Sequence, residues 1–436
     1  MNTDIKREVE NANNPQPPKT ILFTHYGDDW IRGSERCLLD LIKHLNKKQF
    51  TAVLWCNQPK MAQAAAELGI TVHQSPFPIL FGWQAPRFNF LAFFKLIKEA
   101  LQLIKSHNIE LIHANSAAPC QWLTFAAKQA KRPLICHLHS PYQFRDRLTL
   151  GLYQTEMVVG VSQYVVAPLL TDKKPCEQVS VIANGIDTKR LLAQKVINLR
   201  GTLNIEPNKF VIATLGSLIK RKGVDLLINA TEKLLQNMIP VHLLVIGHGP
   251  ELNNLKQQVK QLGLDNNVSF IGESDQAIGI LRGTADLFVS AAREEAFGLV
   301  FAEASLANLA IVAPHIGGIP DVVINNKSGL LIPPENITAL VNAITQLYLN
   351  PLLCSNMAKA GQQHIYNKFT IEKNAALFQR LYHKQLTHYD HQQNLSKTVK
   401  TIRYLLKNLA IKLTEKLNIV FNNRIQNAKK RGCIHE

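Results

Sequence analysis

The chain has 436 residues, more than one domain usually contains, and each of two domains could bury a core of its own. Hydrophobic residues make up 46% and charged residues 19%, a composition that excludes an intrinsically disordered protein. The seven cysteines include no C-x-x-C pair, which argues against a zinc ribbon, a thioredoxin-like site and a disulfide-stabilised secreted scaffold, while the net charge of +17 favours anionic partners.

The first half of the chain alternates between strand-like and helix-like segments. Residues 1–19 are polar and contain three prolines, so we expect a disordered leader without the apolar core of a signal peptide. An apolar strand is expected at 20–25, followed by a helix from Ser34 whose leucines recur at helical spacing. Four further apolar segments are strand candidates: 51–56, 111–113, 134–137 and 157–161. This alternation predicts βαβ units and a parallel sheet with helices on both faces.

The same alternation begins again after a segment rich in Gly, Asn, Asp and Pro at 184–208. Five strand candidates follow: 210–215, 242–246, 268–271, 287–289 and 310–312. We therefore predict an α/β protein with two Rossmann-like, doubly wound domains, at 20–200 and 201–388, that face each other across a cleft. Ligands of such sheets bind at the carboxyl ends of the strands, so two facing sheets would share one site.

Two loops at the carboxyl ends of predicted strands have residues suited to phosphate. Gly33 permits close backbone approach after the first strand and Ser34 can cap the next helix, although a plain helix cap explains both equally well. Lys220, Arg221 and Lys222 follow the first strand of the second half. Such a cluster is usually a solvated surface, but at this edge of the sheet Arg221 and Lys222 are placed to bind a diphosphate.

Two glutamates form the strongest candidate site. Glu295 ends the loop after the strand at 287–289, and Glu303 lies eight positions later, which we expect to be two turns into the following helix. The neighbours of Glu303 are apolar, and a buried carboxylate is costly unless it accepts hydrogen bonds. The two hydroxyls of a ribose or sugar ring would supply such donors, and a glutamate paired with a cation is the alternative.

These segments, in this order, resemble motifs of the retaining glycosyltransferases of family 4, which have the GT-B architecture. Glu295 and Glu303 match the paired-glutamate motif of that family, E-x(7)-E. Five further segments resemble its other motifs: 33–35 (GSE), 184–187 (NGID), 216–223 (GSLIKRKG), 317–320 (GGIP) and 328–331 (SGLL). Each segment alone is a weak signal, but their order and spacing together are specific, and the resemblance covers about residues 20–385.

The resemblance implies roles for the matching residues. Lys222 would hold the donor diphosphate and Glu303 the donor ribose, while Glu295 would contact the transferred sugar. The other donor-binding candidates are Gly33, Ser34, Arg221 and the backbone of Ala296, Phe297, Gly298 and Leu299. Lys222 and Glu295 are thus catalytic candidates.

The third catalytic candidate is His139, which corresponds to the histidine that contacts the sugar in this family. His137 is the alternative, and we expect alternation along the strand to place it on the opposite face. Ser217 stands where the family usually has arginine, and Arg221 is the candidate to replace that charge.

By resemblance, the protein would transfer a hexose-type sugar from a nucleoside diphosphate sugar to an acceptor hydroxyl with retention, in cell-surface polysaccharide or glycolipid synthesis. The sequence contains no metal-ligand spacing and no P-loop, so we expect no metal and no cofactor beyond the nucleotide-sugar co-substrate. Two other functions stay open: a basic protein that binds polyanions on the same fold, and a nucleotide-sugar epimerase or hydrolase. The paired glutamates disfavour nucleic acid as a partner.

Two regions bear on the acceptor and on the membrane. The aromatic stretch at 77–103 is either a core helix or the surface that receives a carbohydrate or lipid-linked acceptor. Residues 390–436 carry ten Lys or Arg against three acidic residues, with apolar residues every three or four positions. We predict that the tail, 389–436, is an amphipathic helix on an anionic membrane surface, with a helix packed on the protein as the alternative. The expected location is the cytoplasm, peripheral on the inner face of the membrane.

Overall fold

The computed structural model describes residues 17–82 and 87–388, which form two parallel β-sheets flanked by helices. The strands of the first sheet are β1 (Lys19–His25), β2 (Phe50–Cys56), β3 (Thr71–Gln74), β4 (Ile109–Ala114), β5 (Leu134–Leu138), β6 (Met157–Gly160) and β7 (Val179–Val181). They are arranged in the order β3-β2-β1-β4-β5-β6-β7. The predicted leader up to residue 16 and the predicted tail from residue 389 lie outside the described residues.

The second sheet has six strands, also parallel. They are β8 (Phe210–Leu215), β9 (Val241–Ile246), β10 (Val268–Gly272), β11 (Leu287–Val289), β12 (Ala310–Pro314) and β13 (Gly329–Ile332). Their order is β10-β9-β8-β11-β12-β13. The predicted fold class, with two doubly wound parallel sheets, is confirmed. Each sheet reverses its strand order once, between β1 and β4 and between β8 and β11, and ligands of such sheets bind at these switch points.

Helices connect the strands. Those of the first half are α1 (Gly33–Lys43), α2 (Pro59–Glu67), α3 (Phe90–Ser106), α4 (Cys120–Ala130), α5 (Phe144–Thr149), α6 (Gln163–Thr171) and α7 (Thr188–Leu192). Those that follow are α8 (Val224–Gln236), α9 (Leu252–Gln261), α10 (Ala277–Thr284), α11 (Leu299–Leu306), α12 (Ile319–Val322), α13 (Ile337–Leu349), α14 (Pro351–Lys368) and α15 (Ile371–His388).

The central strands are buried on both faces because their side chains are apolar on both faces. In β1, Ile21, Leu22 and Phe23 have no exposed surface. Leu22 packs into the core cluster that contains Trp55 and Trp122, whose rings meet edge to face with centroids 6.0 Å apart. Ile21 and Phe23 pack on the other face, where α1 lies. The sheet is therefore a rigid platform for the loops at its carboxyl edge.

The last described helix returns to the first sheet. Ile186 and Thr370 form a β-bridge between the halves, after which α15 packs beside α1. Phe378 and Tyr382 of α15 are fully buried, and the Tyr382 hydroxyl lies 2.7 Å from Nδ1 of His113 in β4. The prediction assigned 201–388 to the second half, whereas this helix completes the core of the first. The chain thus crosses between the halves twice.

All ten predicted strands are present, with ends within two residues of the expected positions. The sequence did not predict β3, β7 and β13. Each of these three is an edge strand of its sheet. Among residues 17–82 and 87–388, no single helix is long and apolar enough to cross a membrane; α13 and α14 pass that test only as a pair, bent by 102° at their junction.

Candidate active site

Two loops selected from the sequence meet at the switch point of the second sheet. Lys222 ends the 3₁₀ turn Lys220–Lys222 after β8, and Glu295 lies in the loop between β11 and α11. Nζ of Lys222 donates a hydrogen bond to Oε2 of Glu295 at 2.5 Å, and the two side chains are 18% and 11% exposed. Both line one cavity, together with Gly216, Ser217 and Ser290. The structure therefore brings together two of the predicted catalytic residues.

Two motif glycines let these loops approach other backbone closely. Gly223 has φ +68°, and a Cβ there would lie 1.9 Å from the carbonyl oxygen of Ala291. Gly317 has φ +54°, and a Cβ there would lie 1.9 Å from the carbonyl oxygen of Glu295. Any side chain at either position would push the loops apart. These glycines thus fix where Lys222 and Glu295 meet.

The residue that joins the two loops, Arg293, was missed at the sequence level. Its guanidinium donates to both carboxylate oxygens of Asp225, at 2.9 and 2.7 Å, and to the Lys220 carbonyl at 2.7 Å. Its backbone N–H donates to the Arg221 carbonyl at 2.7 Å. A bidentate arginine–carboxylate pair is geometrically specific, so Arg293 ties the cationic turn to the glutamate loop. The only signal in the sequence was its place two residues before Glu295.

Arg221, expected to supply a second phosphate cation, does not line this cavity. Its side chain is exposed, and Nη1 donates to the Glu294 carbonyl at 3.4 Å. Ser217 does line the cavity, and Lys222 is the one Lys or Arg among the described residues that form its wall. This placement counts against replacement of the missing arginine by Arg221.

Glu303 lies one turn into α11, not two turns as expected, because the helix begins at Leu299. Burial raises the pKa of Glu303 to about 7; the charge of Arg190 opposes this shift and that of Asp40 adds to it. Within the described part of the chain, the Glu303 carboxylate has no hydrogen-bond or ion-pair partner. A partly buried carboxylate with free acceptor oxygens suits a pair of hydroxyls on one ring.

The first sheet contributes a chain of hydrogen bonds at its own switch point. His25 ends β1, Asn115 follows β4 and His139 follows β5. Nε2 of His139 lies 2.9 Å from Oδ1 of Asn115, and Nδ2 of Asn115 lies 3.0 Å from Nδ1 of His25. Nε2 of His25 lies 2.8 Å from Oε1 of Glu35. His139 is partly exposed, whereas His25, Glu35 and Asn115 are buried.

Contacts between the halves place this edge beside the glutamate loop. Ser162, which follows β6, donates from Oγ to the Ala296 carbonyl at 2.5 Å. On the other side of His139, a Cβ at Gly33 would lie 3.2 Å from Cδ1 of Leu299. The first contact reaches the backbone of Ala296 and the second reaches the side chain of Leu299, so both involve the 296–299 segment. His139 follows β5, which lies between the strands that carry these two contacts, so it shares the edge that faces the predicted sugar-binding loop.

Two expectations for this edge are wrong. His137 and His139 are two residues apart on an extended segment, so they share a face, and their ring centroids are 4.3 Å apart. The helix α1 begins at Gly33 with Arg32 as its N-cap residue, so Ser34 lies in the first turn and does not cap it.

Burial, with the adjacent His137, lowers the pKa of His139 well below its ordinary value, and the ring is neutral at pH 7.

The aromatic stretch at 77–103 divides between core and surface. Phe77, Phe93 and Leu96 are buried, as expected for a core helix. Five other residues of the stretch, with Phe125 of α4, are 39–87% exposed and are called the aromatic patch below: Phe81, Phe88, Phe90, Leu91, Phe94 and Phe125. Ring contacts between Phe81, Phe88 and Phe90 make part of it continuous. The exposed cations Arg87, Lys95 and Lys98 lie beside it in the sequence.

The arrangement can hold a substrate that has three kinds of group. Lys222 offers a cation to an anionic group, Glu303 offers acceptor oxygens to paired hydroxyls, and His139 offers a neutral ring at the opposite wall. Among the described residues, no three His, Cys, Asp or Glu side chains are grouped as metal ligands would be.

Solved structures share this architecture. A glycosyltransferase from Rickettsia africae covers 86% of this chain and all of its own, with a TM-score of 0.74 and 20% identity. Anabaena HepE, solved with UDP and glucose, covers 83% of this chain and 98% of its own, with a TM-score of 0.70 and 24% identity. The fold is therefore GT-B, the two-domain architecture of many glycosyltransferases.

Family models and relatives identify the family. The model described as glycosyl transferases group 1 matches residues 196–364, and the one described as glycosyltransferase family 4 matches residues 31–190. The N-acetyl-alpha-D-glucosaminyl L-malate synthase of Bacillus anthracis is 24% identical over 302 residues, 67% of this chain and 79% of the relative. The GDP-mannose-dependent alpha-(1-6)-phosphatidylinositol monomannoside mannosyltransferase of Mycolicibacterium smegmatis is 26% identical over 281 residues, 60% and 73% of the two chains. The chain belongs to the family 4, or group 1, glycosyltransferases.

Proposed function

We propose that this glycosyltransferase moves a hexose-type sugar from a nucleoside diphosphate sugar to an acceptor hydroxyl, with retention of the anomeric configuration. The observation that carries the proposal is the 2.5 Å contact of Lys222 with Glu295 in one cavity wall. It joins a cation suited to the diphosphate with a carboxylate suited to the sugar. Glu303, whose carboxylate oxygens have no partner among the described residues, would hold the ribose.

Charge moves onto the diphosphate as the glycosidic bond breaks. A fixed cation at the leaving group stabilises that change more than it stabilises the bound substrate. Lys222 supplies this cation, held by Glu295 until the diphosphate replaces the carboxylate as its partner. We propose that no metal takes part, and that the leaving phosphate itself accepts the proton of the acceptor hydroxyl. Retention follows when the acceptor attacks from the face that the diphosphate leaves.

The acceptor side is proposed to serve cell-surface polysaccharide or glycolipid synthesis. One relative is named for a phosphatidylinositol mannoside acceptor and another, from Rhizobium meliloti, for lipopolysaccharide core biosynthesis. The aromatic patch and its cations would suit a lipid-linked acceptor at a membrane surface.

We propose a cytoplasmic, peripheral location, with the tail 389–436 as the anchor on anionic lipid. The full chain should co-sediment with anionic vesicles, and deletion after Tyr389 should abolish this; equal binding by the truncated chain would exclude the tail as the anchor.

Product analysis tests the proposal. The full chain is incubated with UDP-glucose, UDP-N-acetylglucosamine or GDP-mannose, with a membrane-lipid extract as acceptor, in the presence and absence of EDTA. We expect a glycosylated lipid or saccharide that keeps the anomeric configuration of the donor, as read from the one-bond C1–H1 coupling, and no loss with EDTA. An inverted product would contradict retention, and an EDTA-sensitive rate would contradict metal independence. Conversion of the donor to an epimer or to free sugar, without transfer, would contradict the proposed reaction.

A further inference from the structure

In the hydrogen bonds at the edge of the first sheet, the chemistry of the bonded groups fixes which atom donates and which accepts. Nδ2 of Asn115 lies 3.2 Å from the carbonyl oxygen of Ser34. A carbonyl oxygen can only accept, so this atom of Asn115 is the amide nitrogen and donates. Oδ1 of Asn115 is then the amide oxygen and can only accept. Nε2 of His139 must therefore carry a proton and donate it to Asn115.

The other end of the chain agrees with this assignment. The second N–H of Asn115 donates to Nδ1 of His25, which leaves the proton of that ring on Nε2. Nε2 of His25 then donates to Oε1 of Glu35, and Oε2 of Glu35 accepts from the Arg32 backbone N–H at 3.1 Å. Burial disfavours the charged carboxylate, yet its contacts with His25 and with the backbone N–H groups of Glu35 and Arg32 hold the pKa of Glu35 below its ordinary value. In the chain of hydrogen bonds from Glu35 to His139, every donor is therefore paired with an acceptor.

We propose that Asn115, supported by His25 and Glu35, is a positioning residue that holds His139 as the Nε2–H tautomer, so that Nδ1 accepts a hydrogen bond from a hydroxyl of the donor sugar. His139 is the partly exposed end of an otherwise buried chain, so its Nδ1 is the one acceptor that the chain presents at the edge. Nδ1 has no hydrogen-bond partner among residues 17–82 and 87–388. The sugar contact rests on the proposed function; the tautomer does not.

The position of Asn115 at the switch point explains how one side chain reaches its three hydrogen-bond partners. Asn115 follows β4, directly across the switch point from His25 at the end of β1. It therefore reaches the first turn of α1 and the end of β5 with one amide group. An amide is suited to this place because it donates and accepts with fixed geometry and does not ionise. A hydroxyl or a carboxylate could not serve all three partners.

The tautomer is measured directly by the ¹⁵N shifts and two-bond couplings of the His139 ring in the full chain at pH 7. We expect the Nε2–H form alone in the wild type and a mixture of both forms in Asn115→Leu. Asn115→Asp, which keeps an acceptor for Nε2, should restore the Nε2–H form. A wild-type ring protonated on Nδ1, or an unchanged tautomer in Asn115→Leu, would overturn the proposal. The wild-type measurement needs no variant, so it decides the matter even if Asn115→Leu does not fold.

Binding and kinetics test the sugar contact. Asn115→Leu should lower kcat/KM for the active donor by about 10- to 100-fold, the scale of a misplaced contact, while leaving the affinity for UDP or GDP unchanged. The matched control is Asn374→Leu, which removes another buried amide, one that donates to the Ala183 carbonyl at 2.7 Å. Equal losses for the nucleotide and the donor would reduce Asn115 to a structural role and overturn the proposal. If the wild type uses none of the donors, the proposed function fails, and the ¹⁵N data still decide the tautomer.

Discussion

The two walls of the site differ in how they satisfy their polar groups. On the second sheet, Lys222 pairs with Glu295, and Arg293 pairs with Asp225; these contacts join formal charges. On the first sheet, His25, Asn115 and His139 form a chain of neutral groups that ends in the one carboxylate of Glu35. The first wall is also the more deeply buried.

This difference matches the two ends of a nucleotide sugar. A diphosphate carries fixed negative charge, which is best met by a cation that is itself held in place. A hexose-type sugar offers neutral groups, mainly hydroxyls, which are recognised by neutral groups with defined donor and acceptor sides. We infer that the second half binds the nucleotide and contacts the sugar through the Glu295 loop, and that the first half orients the sugar from the opposite wall. Each prediction below tests one wall.

The largest effect is expected for the cation. Lys222→Ala should reduce turnover by roughly 10²–10³, the scale of losing one preorganised electrostatic contact to a developing charge. Steady-state rates with a saturating donor measure this. Lys220→Ala, at the exposed start of the same turn, is the matched control and should stay within a factor of about two. A folded Lys222→Ala variant with normal turnover would place the diphosphate elsewhere.

Glu303 should act on nucleotide affinity. Glu303→Gln should weaken nucleotide-sugar binding by about 1–3 kcal/mol, the usual contribution of hydrogen bonds to a charged group. Because the pKa of Glu303 is about 7, binding by the wild type should weaken as the pH falls below 7, when the carboxylate takes up a proton. Titration calorimetry at pH 8 and pH 6 measures both effects. An unchanged affinity in Glu303→Gln, or an equal pH dependence in that variant, would make Glu303 a structural residue.

The buried histidines of the first wall predict sensitivity to acid. Burial lowers the pKa of His113 to about 3 and that of His137 well below the ordinary 6.5. Below pH 6.5 the unfolded chain therefore binds protons that the folded chain does not. As the pH is lowered, the free energy of unfolding falls by up to about 1.4 kcal/mol per pH unit for each such ring. Glu303, with its raised pKa, gives the opposite slope between pH 7 and 4.5, and Asp40 and Asp321, whose pKa values are also raised, add to it at lower pH.

Urea unfolding between pH 7.5 and pH 5 measures this slope. His137→Leu should make it shallower, since neither nitrogen of His137 has a partner among the described residues. His248→Leu, at an exposed position, is the control and should leave the slope unchanged. A wild-type stability that is flat or rises toward pH 5 would show that these rings are not neutral in the folded chain.

The smallest effect is expected when exposed apolar residues are substituted and vesicle binding is measured. Leu91→Gln with Phe94→Gln removes two exposed apolar residues of the aromatic patch, and Leu349→Gln with Leu352→Gln removes two comparably exposed residues of the second half. The patch variant should bind anionic vesicles about 3- to 10-fold more weakly than the wild type, and the control should bind equally. Co-sedimentation of each full-length protein with vesicles measures the binding. Equal binding by the wild type, the patch variant and the control would show that the patch does not contribute to membrane binding.

The sequence predicted the central strands because these are continuous apolar segments, such as 210–215. It predicted the edge strand β10 but not the other three edge strands, β3, β7 and β13, since an edge strand is covered on fewer sides and can form without such a segment. In the same way, spacing found Glu295 and Glu303, which are close in the chain. The Asn115 amide joins residues 81 and 90 positions away, and Arg293 binds a carboxylate 68 positions away. Each of these contacts exists only once the sheet that carries it has formed, so no local pattern reveals it.

Hydrogen exchange of the full chain, compared between bound UDP and bound UDP-glucose (or GDP and GDP-mannose, if those stabilise it more), tests the division of the two walls most directly. The account predicts that the nucleotide alone slows exchange at 214–224 and 300–305, in the second half. The sugar nucleotide should slow exchange there and, in addition, at 295–299 in the second half and at 113–117 and 137–140 in the first half. Protection of those first-half segments by the nucleotide alone, or no further protection by the sugar, would contradict the account.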